Sequence, residues 1–238
     1  MQNVITLQYS KNGTFLRKTH SFVSRNRKLS RNKHDVFNKF WPKFGINFQS
    51  SYINANNFFT INNPIVLEIG FGKGLSLCRT ALNCSSKNFL GVEVYLPGII
   101  SCLKYIHLYD LKNIRIIYYD AVEVLHNMIH DKSIFKIQIF FPDPWLKRRH
   151  RKRRIFTRSF AQLVLKKLVP NGGILHISTD CQSYAEEIMS IVCSIDEYIN
   201  LSKYNNYIVK PDSRPVTYFE KRGKNLGNTI FDLMFIVR

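Results

Sequence analysis

The sequence predicts an α/β fold, a doubly wound and mostly parallel sheet with helices on both faces. Three observations carry this. Strand-sized apolar runs alternate with helix-like segments from Pro64 onward. The first run ends in a turn of spacing G-x-G-x-G that opens a helix. Acidic residues stand at the ends of successive strands, where ligands bind in sheets of this kind.

Residues 11–43 come before this alternation. They carry ten Lys or Arg and one acid, Asp35. Phe15, Phe22, Phe37, Phe40 and Trp41 are interleaved without a long amphipathic period. Residues 1–43 read as a basic N-terminal arm, partly mobile when free, ahead of a domain over 44–238. The arm's aromatics suit docking onto a partner.

The elements then follow in order. PIVLEIGFGKG is a buried strand, a glycine turn and a helix start, continued by LSLCRTALNC. NFLGVEVY is the second strand and LPGIISCLKYIHLYD the second helix. NIRIIYYDA is the third strand, followed by helical VEVLHNMIH. IFKIQIFFPDPW is a fourth strand ending in a Pro-rich turn. RRIFTRSFAQLVLKKLV is helical and is stopped by Asn171-Gly172-Gly173. GILHISTD is the fifth strand and QSYAEEIMSIVCSI a further helix. Two more strand candidates follow, Tyr207 to Lys210 and Thr229 to Val237.

Composition narrows the function. Lys and Arg number 35 against 16 Asp and Glu, a formal net charge of +19. An excess of this size implies a polyanionic partner, nucleic acid or an anionic surface. The longest apolar stretches, such as Ile134 to Phe141, fall far short of the ~20 residues of a spanning helix. The N-terminus has no apolar signal core, so free thiols in a reducing cytoplasm are expected for the five cysteines. No zinc-ligand spacing is present, and no metal is expected.

The strand ends carry the chemistry. Gly70, Gly72 and Gly74 let a turn lie close under a ligand. Their spacing is not the G-x-G-x-x-G of a dinucleotide site, which argues against a nicotinamide-dependent dehydrogenase. Glu68 precedes them, and a carboxylate there suits a cationic ligand and repels a pyrophosphate. Glu93 lies 19 residues past Gly74, at the distance where nucleoside-binding folds place an acid on ribose hydroxyls. Asp120 ends the third strand, where an acid can accept from an adenine amine. Pro142 and Pro144 flank Asp143 and stiffen it at the sheet edge, beside the flat Trp145. Seven of the nine residues Leu146–Arg154 are Lys or Arg, a block suited to phosphates. Asp180 closes the fifth strand. Thr217 and Glu220 lie in a loop, both able to bond a base edge.

Taken together, LEIGFGKG, FLGVEV, FPDPWLKRRHRKRRIF, STD with Tyr184-Ala185, and RPVTYFEKRGKNLGNTIFDLMF resemble the bacterial tRNA (guanine-N7-)-methyltransferase family. HSFVSRNRKLS in the arm resembles the family's N-terminal segment, so the likeness runs from about residue 20 to the end. The resemblance implies a Rossmann-like class I methyltransferase with a seven-stranded sheet whose last strand is antiparallel. It implies S-adenosyl-L-methionine as methyl donor and tRNA as partner, with N7 of the variable-loop guanosine (position 46 in standard tRNA numbering) as target. Glu68, Glu93 and Asp120 would hold the donor above Gly70, Gly72 and Gly74. Asp143 would be the catalytic acid residue and would also touch the donor. Lys147, Asp180 and the stretch Thr217, Tyr218, Phe219 and Glu220 would hold the guanine. Arg148, Arg149, His150, Arg151, Lys152, Arg153 and Arg154 would grip the RNA. Family members act alone or in pairs, so a monomer or homodimer without an obligatory protein partner is expected.

The chain departs from the family pattern at four places. Tyr218 stands where Lys is usual, Leu146 for Pro, Asn228 for His and Ser24 for Arg. The Tyr218 change bears on the guanine contacts. Another class I RNA methyltransferase would share the donor residues and differ around Asp143 and Thr217. A non-catalytic RNA-binding protein on this scaffold would bind no donor.

Overall fold

The computed structural model describes residues 8–9, 15–16, 20–22, 30–204 and 206–238 of the chain. Most of the basic arm, including Ser24, lies outside the described residues. The strands of the main sheet are β1 (Gly45–Ile46), β2 (Ile65–Ile69), β3 (Asn88–Glu93), β4 (Ile114–Tyr118), β5 (Lys136–Phe140), β6 (Ile174–Thr179), β7 (Tyr198–Asn200) and β8 (Phe231–Val237). Their order across the sheet is β1-β4-β3-β2-β5-β6-β8-β7. Neighbours from β1 to β6 pair in parallel, and β8 runs antiparallel to both β6 and β7. A separate two-stranded ladder pairs Gln8–Tyr9 with Phe15–Leu16.

The helices are α1 (Arg31–Phe44), α2 (Leu75–Leu82), α3 (Leu96–Leu108), α4 (Ala121–Asn127), α5 (Arg158–Lys167), α6 (Gln182–Cys193) and α7 (Tyr218–Asn225). Every residue of β2 and β3 is buried, as central parallel strands covered on both faces require. Successive residues of β2 feed opposite cores. Leu67 and Ile69 join a cluster with α4, α5 and α6, while Val66 joins a cluster with α1, α2 and α3. The strand order reverses between β2 and β5. The carboxyl ends there form the crevice in which such sheets bind ligands.

The sheet differs from the expected seven strands in two ways. β1 adds a two-residue edge strand beside β4, at the border drawn for the arm. The candidate strand Tyr207 to Lys210 contributes only the single bridge Ile208 to Asp232, and β7 pairs along β8 instead. Packing decides this choice. Tyr198 is buried, its hydroxyl donates to the Ala161 carbonyl at 2.9 Å, and its ring meets Phe235 edge-on.

Helix α1 lies within the stretch read as arm. Its helical period is legible once its ends are known, because Phe37, Phe40, Trp41 and Phe44 recur at three- and four-residue steps. The four Lys and Arg residues in the same span obscured it. Phe37 and Phe44 are buried in the cluster with α3, and Trp41 stacks on Phe37 at 4.9 Å. Replacing Phe44 by Ala should therefore cost roughly 3–5 kcal/mol of unfolding free energy, read by urea denaturation. A loss below about 1 kcal/mol would mean that α1 adds nothing to the folded body.

Candidate active site

The crevice is built around the turn between β2 and α2. Gly70, Gly72 and Gly74 take φ of 75°, 60° and 78°, a region that penalises any Cβ. At Gly74 a Cβ would also lie 2.4 Å from the Cys102 Sγ. At Gly70 a Cβ would meet nothing within 4 Å, so the first glycine borders open space. Gly98, at the start of α3, allows close approach of that helix, since its Cβ would lie 2.2 Å from the Gly72 carbonyl oxygen.

Glu93 clamps this turn to the end of β3. Its Oε2 accepts from the Gly72 amide at 2.8 Å, and its Oε1 accepts from the Val94 and Tyr95 amides at 2.6 and 2.9 Å. Burial raises its pKa, three backbone donors oppose that rise, and the negative charge of Asp143 adds to it. Glu68 lies fully within β2 and accepts from Gln138 Nε2 at 2.7 Å. Burial lifts its pKa from 4.5 to about 7, with Gln138 and Lys136 opposing and Glu93 adding. Glu93 thus lies in electrostatic range of Glu68 on one side and of Asp143 on the other. Such a group favours a cationic ligand.

Asp120 is placed by a different rule. It is the N-cap of α4, with Oδ1 accepting from Val122 and Glu123 amides at 2.8 and 3.2 Å. Glu123 adds an acid to the first turn of α4. The other oxygen, Oδ2, faces His20 Nδ1 at 3.6 Å.

Asp143 is exposed on a loop held in an uncommon shape. Phe141 and Trp145 on either side have φ of 54° and 44°, which costs of order 1–3 kcal/mol each for non-glycine residues. Several bonds over-determine the loop. Phe141 N donates to the Ser178 carbonyl at 2.7 Å, Arg154 Nε to the Pro144 carbonyl at 2.7 Å, and Trp145 Nε1 to the Ser21 carbonyl at 3.3 Å. The Arg153 guanidinium lies over the Trp145 ring at 5.2 Å.

The basic block splits in two. Lys147, Arg148, Arg149, Arg151 and Lys152 are exposed, and His150 and Arg153 are half-buried. Arg148–Arg153 form a 3-10 helix. Arg154, expected on the RNA, turns inward instead. It is buried, ion-pairs with Glu187, and stacks 4.5 Å over Tyr184. Its side chain braces the Asp143 loop and is not available to phosphates.

The Thr217–Glu220 stretch also departs in part from its expected role. Thr217 is the N-cap of α7 and its Oγ1 accepts from the Glu220 amide at 3.0 Å. Glu220 is fully buried, with Arg214 on Oε2 at 2.6 Å and Lys224 on Oε1 at 2.9 Å. Both oxygens are occupied, so Glu220 fastens α7 and does not offer a free edge to a base. Tyr218 and Phe219 are exposed beside the glycine turn. Lys73 lies 5.7 Å from the Tyr218 ring, and Phe219 is 4.0 Å from where a Gly72 Cβ would stand. Asp180 accepts from Asn228 Nδ2 at 3.1 Å and packs on Gly223 of α7, so the Asn228 departure keeps a donor to this acid.

Sequence reasoning missed the hub behind this helix. Arg214 NH2 donates to Asp232 Oδ2 at 2.9 Å, and Ser178 Oγ donates to Asp232 Oδ1. His176 Nε2 lies 3.0 Å from Asp232 Oδ1, and burial holds its pKa down to about 4, so it is neutral and donates. The signal was present as polar residues inside apolar strands. His176 and Ser178 share one face of β6, and Asp232 pairs opposite Ser178.

Residues 62–233 match the family model described as "Putative methyltransferase". A tRNA (guanine-N(7)-)-methyltransferase from Buchnera aphidicola subsp. Baizongia pistaciae is 51% identical over 96% of this chain and 94% of its own length. One from Yersinia pestis (strain Pestoides F) is 45% identical over 99% of this chain and 98% of its own. Among solved structures, an rRNA methylase from Streptococcus thermophilus aligns with a TM-score of 0.50 at 10% identity, covering 90% of this chain and 99% of that one. The last likeness concerns the fold alone.

The raised Glu68 pKa has a consequence for stability. The folded chain binds a proton between pH 4.5 and about 7 that the unfolded chain has released. The stability from this group is therefore full below pH 4.5 and lost as pH rises through about 7, on the order of 3 kcal/mol at most. Urea denaturation across that window should show a shallower pH dependence in Glu68→Gln than in the parent. Identical slopes would place the titration elsewhere.

Proposed function

The chain belongs to the tRNA (guanine-N(7)-)-methyltransferase family, and from that membership we propose its reaction in residue terms: transfer of the methyl group of S-adenosyl-L-methionine to N7 of the variable-loop guanosine, position 46, of tRNA in the cytoplasm. The observation that carries this reading is the Glu93 carboxylate bonded to a glycine turn that borders open space at Gly70, with Glu68 and Asp143 in its electrostatic range. The donor carries an ammonium and a sulfonium and no phosphate, which suits three carboxylates and a turn without a dinucleotide's glycine spacing. No helix among the described residues is long and apolar enough to cross a membrane.

The residues that would hold the donor divide by chemistry. Glu68 and Glu93 place two carboxyl groups near the turn, and a bound cation would favour their ionised forms. Glu93 has three of about four acceptor positions filled by backbone amides, leaving roughly one for a ribose hydroxyl. Asp120 Oδ1 is occupied by the α4 cap, so Oδ2 is the oxygen that would meet the adenine amine, with His20 beside it. Bound there, S-adenosyl-L-methionine supplies an electrophilic methyl group on sulfur.

Guanine N7 presents an in-plane lone pair and no proton, so no general base is required at that atom. The protein's tasks are alignment, exclusion of water and stabilisation of the charge that moves onto the purine. Positioning alone can supply of order 7–11 kcal/mol in the best intramolecular cases. Asp143 is suited to the third task, because its strained and braced loop holds a carboxylate in one place before the reaction begins. Lys147, Asp180, Thr217, Tyr218 and Phe219 would hold the guanine, as the family resemblance implies, and Glu220 acts through α7. Replacing a stack or tertiary contact by this pocket costs the tRNA a few kcal/mol, which phosphate contacts to the basic block offset.

Incubation with labelled S-adenosyl-L-methionine and unmodified tRNA, followed by cleavage specific for N7-methylguanine, tests the reading directly. Label at one variable-loop guanosine is the expected outcome. Donor binding without transfer to any tRNA would move the substrate elsewhere, and no donor binding would favour an RNA-binding protein. Asp143→Ala should lower kcat by about 10²–10³ while donor affinity changes far less; unaltered turnover would remove Asp143 from the mechanism. Neutral replacements of Arg149 and Arg151 should reduce the slope of log affinity against log salt by roughly 0.7–0.9 per lost phosphate contact. An unchanged slope would mean that the RNA lies on another face.

A further inference from the structure

Beside the crevice, a cavity of about 270 Å³ opens between α4 and α5. Val122, Ile155, Phe160 and Leu163 supply apolar lining. Lys152, Arg153, Thr157, Ser159 and His126 supply cationic and polar lining. Among the described residues neither Lys152 nor Arg153 has a carboxylate within ion-pair distance, whereas Arg154 takes Glu187. The run therefore leaves Lys152 and Arg153 without a counter-carboxylate beside an apolar lining.

The cavity touches the candidate active site at two points. Asp120, whose Oδ1 caps α4, is part of its wall. Arg153 belongs to its rim and also covers Trp145, two residues from Asp143. Apolar side chains beside cationic and hydroxyl groups fit one chemical class, a nucleobase carrying a phosphodiester.

We propose that the cavity between α4 and α5 is a binding site for the nucleotide adjacent to the target guanosine in tRNA. Its base lies on Val122, Ile155 and Phe160, and its phosphate meets Lys152, Arg153 and the hydroxyls of Thr157 and Ser159. This rests on the tRNA reading above and adds a second nucleotide subsite to it. The site would make affinity depend on the tRNA strand beside the target and not only on the guanine itself.

Two substitutions place an acid in the cavity without touching the residues assigned to the reaction, Ser159→Asp and His126→Glu. Ser159 is exposed in the first turn of α5, where an acid favours the helix, so folding is not at risk there. Ser85→Asp, exposed between α2 and β3, adds the same charge away from the cavity as a control. The KM for tRNA should rise at least about tenfold in the two cavity variants, since a charge-assisted phosphate contact turns repulsive. It should stay near the parent value in the control, and the Kd for S-adenosyl-L-methionine measured without tRNA should not move. Ethylating the phosphates beside the target guanosine should inhibit the parent enzyme strongly and add little to the defect of the variants. A parent enzyme that methylates tRNA, with both cavity variants unaltered in KM, would overturn the subsite alone. An equal rise in Ser85→Asp would overturn it by showing a long-range charge effect, and weaker donor binding in the variants would overturn it by assigning the cavity to the donor. A parent that transfers no methyl group to tRNA would overturn the functional reading and the subsite together.

Discussion

The bond between the Gly72 amide and the Glu93 carboxylate ties together the two central strands at the point where ligands enter. Glu93 reaches back from the end of β3 to the turn that leaves β2, and its other oxygen holds the first residues of the next connection. The three glycines make this possible because each occupies a left-handed backbone region. Gly98 then lets α3 close against the same turn. A side chain at Gly74 or Gly98 would push apart the elements that Glu93 draws together, and one at Gly70 or Gly72 would be strained by its positive φ. The price is a buried carboxylate, and its raised pKa reflects that burial.

A second constraint governs the opposite rim. Asp232 sits in the antiparallel strand β8 and gathers His176, Ser178 and Arg214. Arg214 in turn holds Glu220, and Glu220 is bonded at its amide by Thr217. The first turn of α7 is therefore fastened to the sheet through a chain of buried charges. Breaking one partner of such a chain would leave the others desolvated and unpaired, which typically costs 3–5 kcal/mol. This explains why a segment with exposed Tyr218 and Phe219 stands fixed beside the glycine turn. The residues that reach toward a substrate differ from the residues that hold them there.

Between these rims lies the Asp143 loop. Its two left-handed non-glycine residues are disfavoured, and Arg154, Ser178 and Ser21 offset them with hydrogen bonds. Arg154 connects this loop to α6 through Glu187 and Tyr184. The positive run after Trp145 thus has two jobs divided by one residue step, with Arg153 facing outward over Trp145 and Arg154 facing inward.

The sequence by itself determined the alternation of strands and helices, the glycine turn, and the acids at the strand ends. These depend on local pattern: apolar runs of strand length, turn residues that tolerate positive φ, and proline on both sides of Asp143. Helix α1 was legible in principle from the spacing of Phe37, Phe40 and Phe44, but its charge content pointed to an arm. The use of each polar group depended on long-range packing. Asp120 caps α4, Glu220 and Arg154 face inward, and β7 rather than the Tyr207 segment completes the sheet. Each outcome depends on a partner distant in the chain. Glu187 stands 33 residues from Arg154, and Asp232 stands 18 from Arg214. A carboxylate or guanidinium looks the same in sequence whether it will meet water, a substrate or a buried counter-charge. Only the packing that brings the partner within 3 Å removes the ambiguity, because burial makes an unpaired charge too costly to leave in place.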